Sequence, residues 1–254
     1  MAIVKFKEDQ PIKAMNRVRN LAAGAHAAVG TSNLAPVRTV LSYVDYSVDA
    51  VQAALELAET PDPNKSPDGH KAYVGSLAKR EYEKSRSRAA DLKEMLKKEK
   101  KELADEAYKL AGLAEQLPHA EAQEIRAASR ALSQKERDKM IASAFERRDG
   151  AVVRALIQSP SEILFGPVTV PLNGMVARFI DQAVPSYPHL RGEVERAEEV
   201  LDLTANAVAK QLRELRSHAA EERVDATTSR VAAAEAVLAS GPAPHSEVST
   251  GDAA

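Results

Sequence analysis

The sequence predicts a mainly α-helical protein in which two long helices form a hairpin or a coiled-coil-like bundle. Apolar residues make up 44% of the chain but aromatic residues only 4%, so alanine supplies much of the apolar content. Alanine buries little surface, and helix faces rich in it suit long, closely packed helices better than a thick globular core. The charged fraction of 28% agrees with this, because long solvated helix faces need charge.

Residues 1–59 are predicted to form an N-terminal helical segment. Pro11 suits the first position of a helix, where no backbone N–H is needed. Apolar residues at helical spacing follow it as far as Ala22. The stretch Gly30–Asn33 breaks this helix, and we expect a second helix from about residue 36 to 59, because apolar residues again recur along one side.

A linker and two long helices are predicted to follow. Residues 60–70 contain three prolines, a glycine and several turn formers, which are typical of a linker. The helical bundle is predicted over residues 71–239, with its long helices at about 70–117 and 189–239. Both carry apolar residues that step by threes and fours, the spacing of a packing seam. Neither apolar face is wide enough to be stable alone, so we expect the two helices to pack as an antiparallel hairpin, on copies of themselves, or both.

Short helices are expected between the long ones. The first covers about residues 121–132. Ser133 and Glu136 then have the spacing of a capping box, in which each side chain satisfies a free backbone N–H at a helix start. The helix that they begin should end at Asp149–Gly150, and residues 151–158 form one more short helix.

The apolar segment 159–185 interrupts the helical pattern. Ser159 and Pro160 announce a helix of barely one turn. Pro167 and Pro171 then flank a β-prone stretch that can form only a short edge strand or an extended arm. This segment is the densest cluster of large apolar residues in the chain, so it covers the junction of the helices as a plug, docks onto another protein or subunit, or forms a ligand pocket. The candidate protein-interaction residues are Ile163, Leu164, Phe165, Val168, Val170, Leu172, Met175 and Phe179.

The residues that carry enzyme chemistry do not form a recognisable motif. The chain has no cysteine, and none of its six histidines lies three or four residues from another. Glycine-rich phosphate loops and the nucleophile elbow of hydrolases are absent from the sequence. Carboxylate pairs such as Glu198 and Asp202 are most often solvated helix surface. We therefore expect a non-enzymatic protein without catalytic residues, cofactor or metal.

Basic helix faces give an alternative function, that of a nucleic-acid-associated accessory protein, because Lys and Arg side chains can contact phosphates. From Lys79 to Glu106, however, ten Lys and Arg residues stand against eight Asp and Glu residues, a net charge of +2. Such mixed charge is more typical of a solvated helix. The candidate nucleic-acid contacts are Lys13, Arg17, Arg19, Lys97, Lys98, Lys100 and Lys101.

The two ends of the chain bear on localisation. The first ten residues lack the apolar core and cleavage site of a signal peptide. No run of about 18 apolar residues is present, so a membrane-spanning helix is not expected. Residues 240–254 are polar and of low complexity, and we expect them to be disordered. The sequence favours a cytoplasmic or virion protein.

One stretch resembles a known family. The sequence IASAFERRDGAVVRALIQSPSEILFG, residues 141–166, resembles a segment of small helical bacteriophage proteins, in which a helix, an acidic-Gly turn, a short apolar helix and a Pro-containing loop follow one another. It covers about a tenth of the chain, and after residue 166 the sequence PVTVPL replaces the acidic helix that is usual in that family. The resemblance implies a virion or assembly protein that oligomerises and docks onto other structural proteins, with no catalytic residues to carry over. The matching residues are Ala144, Asp149, Gly150, Val153, Ala155, Leu156, Pro160, Leu164 and Gly166.

Overall fold

The computed structural model describes residues 10–60, 62–158 and 165–239. Within these ranges the chain forms eight α-helices and no β-strand, which confirms the predicted mainly α fold class. The predicted disordered tail lies outside the described residues. The helices are α1 (Gln10–Val29), α2 (Ala35–Glu59), α3 (Pro67–Leu110), α4 (His119–Ala131), α5 (Gln134–Glu146), α6 (Gly150–Ile157), α7 (Leu172–Ala183) and α8 (Tyr187–Ala239).

The two long helices are α3, with 44 residues, and α8, with 53 residues. α3 ends at Leu110, short of the end that the sequence predicts. Gly112 has a φ of 70°, in the left-handed region. Its N–H donates to the carbonyl of Lys109 at 3.0 Å, and the N–H of Leu113 donates to the carbonyl of Tyr108 at 3.1 Å. This is the Schellman pattern, so a glycine that accepts positive φ ends the helix before the proline downstream is reached.

The chain divides into two compact units. Of the described residues, unit 1 comprises 10–24, 42–60, 62–89 and 202–239, and unit 2 comprises 25–41, 90–158 and 165–201. Each unit has an apolar core of its own within the described residues. The domain boundaries derived from the sequence stay a prediction.

The core of unit 1 is built by α2, α3 and α8. Hydrogen bonds between side chains join α2 to α3 beside it. The Tyr43 hydroxyl is fully buried and lies 2.7 Å from Ser85 Oγ, and the Tyr46 hydroxyl donates to Glu81 Oε2 at 2.7 Å. That hydrogen bond to Glu81 raises the pKa of Tyr46, with burial adding to the effect. The buried core residues are Val51, Ala54, Leu55, Ala58, Val74, Ala78, Val208, Leu212 and Leu215.

The long helices pack closely against each other, as the sequence predicts. In unit 1 they share the core, and Arg213 of α8 donates to the hydroxyl of Tyr82 on α3. In unit 2 the Lys100 ammonium of α3 lies 3.4 Å from Glu195 Oε1 and 3.5 Å from Glu198 Oε2 of α8. Apolar packing with flanking charge pairs is the arrangement expected of a helical hairpin.

Candidate interaction site around the proline-bounded segment

The described part of the predicted interaction segment, residues 165–185, packs on the core of unit 2. Phe165 and Phe179 are 2% and 6% exposed. The ring of Phe179 meets that of Phe145 edge to face, with centroids 6.2 Å apart and an interplanar angle of 85°, a favourable geometry for two aromatic rings. These two phenylalanines therefore anchor the segment. The buried core residues are Leu113, Leu117, Ala122, Ile141, Phe145, Val153, Ala155, Leu156, Phe165 and Phe179.

The N-terminal end of α6 is set by the turn that precedes it. Arg148 has a φ of 56°, and the N–H of Asp149 donates back to the carbonyl of Ala144 at 2.8 Å, which closes the end of α5. The Asp149 carboxylate then accepts the N–H of Val152 at 3.2 Å and caps α6. A side-chain cap of this kind satisfies a backbone donor that the helix itself cannot.

α6 also fixes the loop that follows α3. Arg154 Nη1 donates to the carbonyl of Gly112 at 3.0 Å. Gln158 accepts the N–H of Leu117 at 3.2 Å and donates to the carbonyl of Glu115 at 2.7 Å. Arg154 and the C-cap residue Gln158 thus satisfy three backbone groups of the loop, whose Leu113 and Leu117 belong to the core of unit 2.

The capping box predicted at Ser133 is present. Its hydroxyl accepts the N–H of Glu136, and the Glu136 carboxylate accepts the N–H of Ser133 at 3.1 Å. Hydrogen bonds from the Ser133 side chain and backbone hold the pKa of Glu136 below its ordinary value. The box fixes where α5 begins. It therefore also fixes which residues of the first two turns of α5 face residues 165–171, the proline-bounded segment.

A buried arginine connects α4, α5 and that segment. Arg137 is only 6% exposed. Its Nε donates to the carbonyl of Ser129 at 3.0 Å, Nη2 to that of Leu132 at 2.8 Å and Nη1 to that of Pro167 at 2.8 Å. Ser129 and Leu132 lie at the C-terminal end of α4, where free carbonyls and the helix dipole favour a cation. The Arg137 guanidinium therefore caps the C-terminal end of α4 and also binds the backbone of the proline-bounded segment through the carbonyl of Pro167.

Gly166 lies directly against this guanidinium. Its φ is 84°, a region that residues with a Cβ rarely adopt. A Cβ built on it would lie 2.5 Å from Arg137 Cζ. Glycine is required here both by the backbone angle and by the close approach of the arginine.

The proline-bounded segment, residues 165–171, is held mainly by side chains of α4 and α5. The Ser129 hydroxyl donates to the carbonyl of Phe165 at 3.2 Å. The Asp138 carboxylate accepts the N–H of Thr169 at 3.1 Å and also its hydroxyl. Residues 166–169 form neither helix nor strand, the chain bends at Val170, and α7 begins at Leu172. Of the two predicted forms, the described residues show an arm and no edge strand.

The predicted interaction residues fall into three groups. Phe165 and Phe179 are buried anchors. The second group is half-buried around the core of unit 2, is named the apolar rim, and consists of Val168, Val170, Leu172 and Met175. Ile163 and Leu164 lie outside the described residues. Docking through these residues stays a prediction. The buried phenylalanines fit the interpretation as a plug, whereas the half-buried residues fit the docking interpretation.

The predicted nucleic-acid contacts do not form one unpaired basic face among the described residues. Lys97 and Lys98 are 3.7 Å and 3.5 Å from Glu94 and Glu102 on their own helix. Burial lowers the pKa of Lys100, but Glu198 and its neighbour Glu195 outweigh this and raise the pKa above its ordinary value. The remaining candidates occur on α1 and α3. Arg17, Arg19 and Lys101 are exposed, Arg19 donates to Gln52 at 3.0 Å, and Lys13 is on α1 where only the backbone is described.

Sequence reasoning missed the polar residues that position the segment. Ser129, Arg137 and Asp138 are on helices whose surface charge gives no sign that one arginine is buried. One signal was available, since a glycine at 166 permits a left-handed backbone angle that other residues rarely adopt. That pattern marks a special backbone position, although it does not name the partner.

Among the described residues no group of three or more His, Cys, Asp or Glu side chains could hold a metal ion. No helix in the same part of the chain is long and apolar enough to cross a membrane. Comparisons with protein-family models, with curated proteins and with solved structures gave no match to this chain.

Proposed function

We propose that this chain is a non-enzymatic helical structural or assembly protein that acts through oligomerisation and protein–protein docking, as a component of a phage particle. The observation that carries the proposal is that residues within the described part of the predicted interaction segment, residues 165–185, differ in burial. Phe165 and Phe179 anchor it in the core of unit 2, while the apolar rim stays partly in water. A segment used only as a plug gains nothing from leaving part of such side chains exposed.

The energetics of the apolar rim favour a partner. Complete burial of a Val, Leu or Met side chain is worth about 1.5–3 kcal/mol, so the remaining exposed part of each rim residue, about a third at most, leaves at most about 0.5–1 kcal/mol to be gained. Arg137 and Asp138 fix the backbone that carries part of the rim. A surface fixed before binding loses less conformational entropy when a partner docks.

The framework and the resemblance support the structural role. Long helices such as α3 and α8 suit a protein whose work is to hold others in position. The resemblance of residues 141–166 to small helical bacteriophage proteins supports a place in a phage particle. Matched residues have structural roles here, since Asp149 caps α6 and Val153, Ala155 and Leu156 are buried. The alternative as a nucleic-acid accessory has less support, because glutamates accompany Lys97, Lys98 and Lys100.

Paired variants on α7 test the docking role. Met175→Glu places a charge on the apolar rim, whereas Gln182→Glu places the same charge on an exposed position of the same helix. Sedimentation equilibrium should show that Met175→Glu weakens self-association at least about tenfold, equivalent to 1.4 kcal/mol. Gln182→Glu should leave it unchanged. Equal effects of the two variants, with both folded by circular dichroism, would remove the rim as the docking surface.

A further inference from the structure

The basic stretch KREYEKSRSR, residues 79–88 of α3, contains cations of two kinds. Three of its cations have a carboxylate partner on their own helix. Lys79 Nζ lies 3.9 Å from Glu83 Oε1, while Arg80 Nε and Lys84 Nζ lie 3.4 Å and 3.1 Å from Glu81 Oε1. These charges are neutralised within α3, so they offer little to a ligand.

Arg86 of α3 and Arg213 of α8 are of the other kind, since neither has a carboxylate partner among the described residues. Both belong to unit 1, and both lie beside the hydroxyl of Tyr82. Arg213 Nη2 donates to Tyr82 Oη at 2.5 Å. Arg86 follows Tyr82 by four residues, which places it on the same face of α3, and its charge acts on the same hydroxyl. Two guanidinium groups without a counter-charge thus meet at one phenol.

The hydrogen-bonding groups that remain at this point are donors. A guanidinium has five N–H donors and no acceptor. The Tyr82 oxygen already accepts a hydrogen bond from Arg213, and its own proton has no acceptor in the described part of the chain. The hydrogen bond from Arg213 and the charges of both arginines lower the pKa of Tyr82 below its ordinary value. A ligand that complements this point must therefore supply acceptors and negative charge.

The three donor groups are carried by helices, and Tyr82 is held by the core of unit 1. Its ring packs against the buried apolar cluster of α2, α3 and α8, whereas its hydroxyl is exposed. Arg213 lies between Leu212 and Leu215, which are each 2% exposed and fix this turn of α8. Donors placed by a rigid framework lose less conformational entropy when a ligand binds.

From these observations we infer that Tyr82, Arg86 and Arg213 form a binding site for a phosphate group. Three donor groups match the oxygens of a tetrahedral phosphate better than the two oxygens of a carboxylate, and guanidinium groups bind phosphate through paired N–H···O bonds. A small phosphorylated molecule and a nucleic-acid backbone both offer these oxygens. The inference goes beyond the proposed assembly function and does not depend on self-association.

Calorimetric titration of the full chain with pyrophosphate at low salt tests the site. The unaltered chain should bind pyrophosphate saturably, and Arg86→Gln and Arg213→Gln should each weaken binding at least about fivefold, a modest factor because the site is open to water. Arg88→Gln is the matched control. It removes the same charge from an exposed position of α3 two residues away, on another side of the helix, and should change the affinity less than about twofold. Equal losses for the three variants, or no saturable binding, would overturn the site.

Tyrosinate absorbance gives a second readout, which general attraction to a basic protein would not produce. The chain has no tryptophan, so the difference between the titrations of the unaltered chain and of Tyr82→Phe reports Tyr82. Bound pyrophosphate places negative charge beside the phenol and should raise the pKa of Tyr82. An unchanged pKa at saturating pyrophosphate would contradict the inference.

A single-stranded oligonucleotide distinguishes the two sources of phosphate. If the backbone of a nucleic acid is the ligand, the oligonucleotide should bind more tightly than pyrophosphate, with the same loss in Arg86→Gln and Arg213→Gln. Contacts from two cations predict a slope of about −1.4 for the logarithm of its affinity against that of the salt concentration. Pyrophosphate binding without this advantage for the oligonucleotide would assign the site to a small phosphorylated molecule. Binding of neither probe would refute it.

Discussion

Replacing Arg137 tests whether one buried cation fixes the proline-bounded segment. Arg137→Met keeps an unbranched side chain that reaches about as far as Nε and removes all the guanidinium donors. In this variant the carbonyl of Ser129 still has a hydrogen-bond donor, because it also accepts the N–H of Leu132 at 3.3 Å. The carbonyls of Leu132 and Pro167 have no other protein donor among the described residues. A buried acceptor without a donor costs about 1–3 kcal/mol, so two partly buried ones predict a loss of about 3 kcal/mol.

Urea unfolding followed by circular dichroism measures this loss, and Arg130→Met provides the matched control. Arg130 is an exposed residue of α4, and its substitution should change the free energy of unfolding by less than about 0.5 kcal/mol. Hydrogen exchange locates the effect, because release of the segment should speed exchange of the Thr169 amide. A loss below about 1 kcal/mol for Arg137→Met, or unchanged exchange at Thr169, would refute the reasoning.

A double-mutant cycle separates the two constraints on Gly166. Gly166→Ala should cost about 1–2 kcal/mol for the left-handed backbone, plus the overlap of its Cβ with the Arg137 guanidinium. In an Arg137→Ala background the overlap disappears and only the backbone cost remains. A coupling of at least about 1 kcal/mol is therefore expected, and additive effects would contradict the close approach.

The remaining predictions concern backbone angles and one partly buried carboxylate, all measured by urea unfolding. Gly112→Ala should destabilise by about 1 kcal/mol because its φ is positive, whereas Gly174→Ala, in a helix and equally free of steric neighbours, should stabilise by up to about 1 kcal/mol. Arg148→Gly should stabilise by about 0.5–1 kcal/mol, because glycine accepts its φ without strain. Burial raises the pKa of Glu81, but the hydrogen bond from Tyr46 and nearby cations outweigh it and lower the pKa. The ionised Glu81 therefore stabilises the fold above pH 4.5, and this stabilisation is lost as the pH falls through the lowered pKa. In Glu81→Gln the free energy of unfolding should consequently fall less steeply as the pH is lowered.

The helical framework was predictable because its determinants are local. Three-and-four apolar spacing located both long helices, and Ser133 with Glu136 marked the start of α5 by chemistry confined to one turn. The end of α3 was misplaced although Gly112 offered a signal. A glycine inside a helical pattern is read as tolerated unless the hydrogen bonds that make it a cap are seen.

The candidate site was predictable only in part, because its polar contacts join residues far apart in sequence. The density of apolar residues predicted that the segment makes contact, and Phe165 and Phe179 are indeed buried. Arg137 reaches across 30 residues to Pro167, and Asp138 reaches across 31 to Thr169. No periodicity marks such pairs, since a helix surface carries many charges and tertiary packing alone decides which one is buried.

The mass of the unaltered chain in solution tests the proposed function most directly. Size-exclusion chromatography with light scattering, run over a hundredfold dilution series at constant salt, reports the mass of the assembled species. A protein that works by oligomerisation should show a multiple of the 27.4 kDa chain mass that falls towards one chain on dilution. A mass of 27.4 kDa at every concentration would contradict the account.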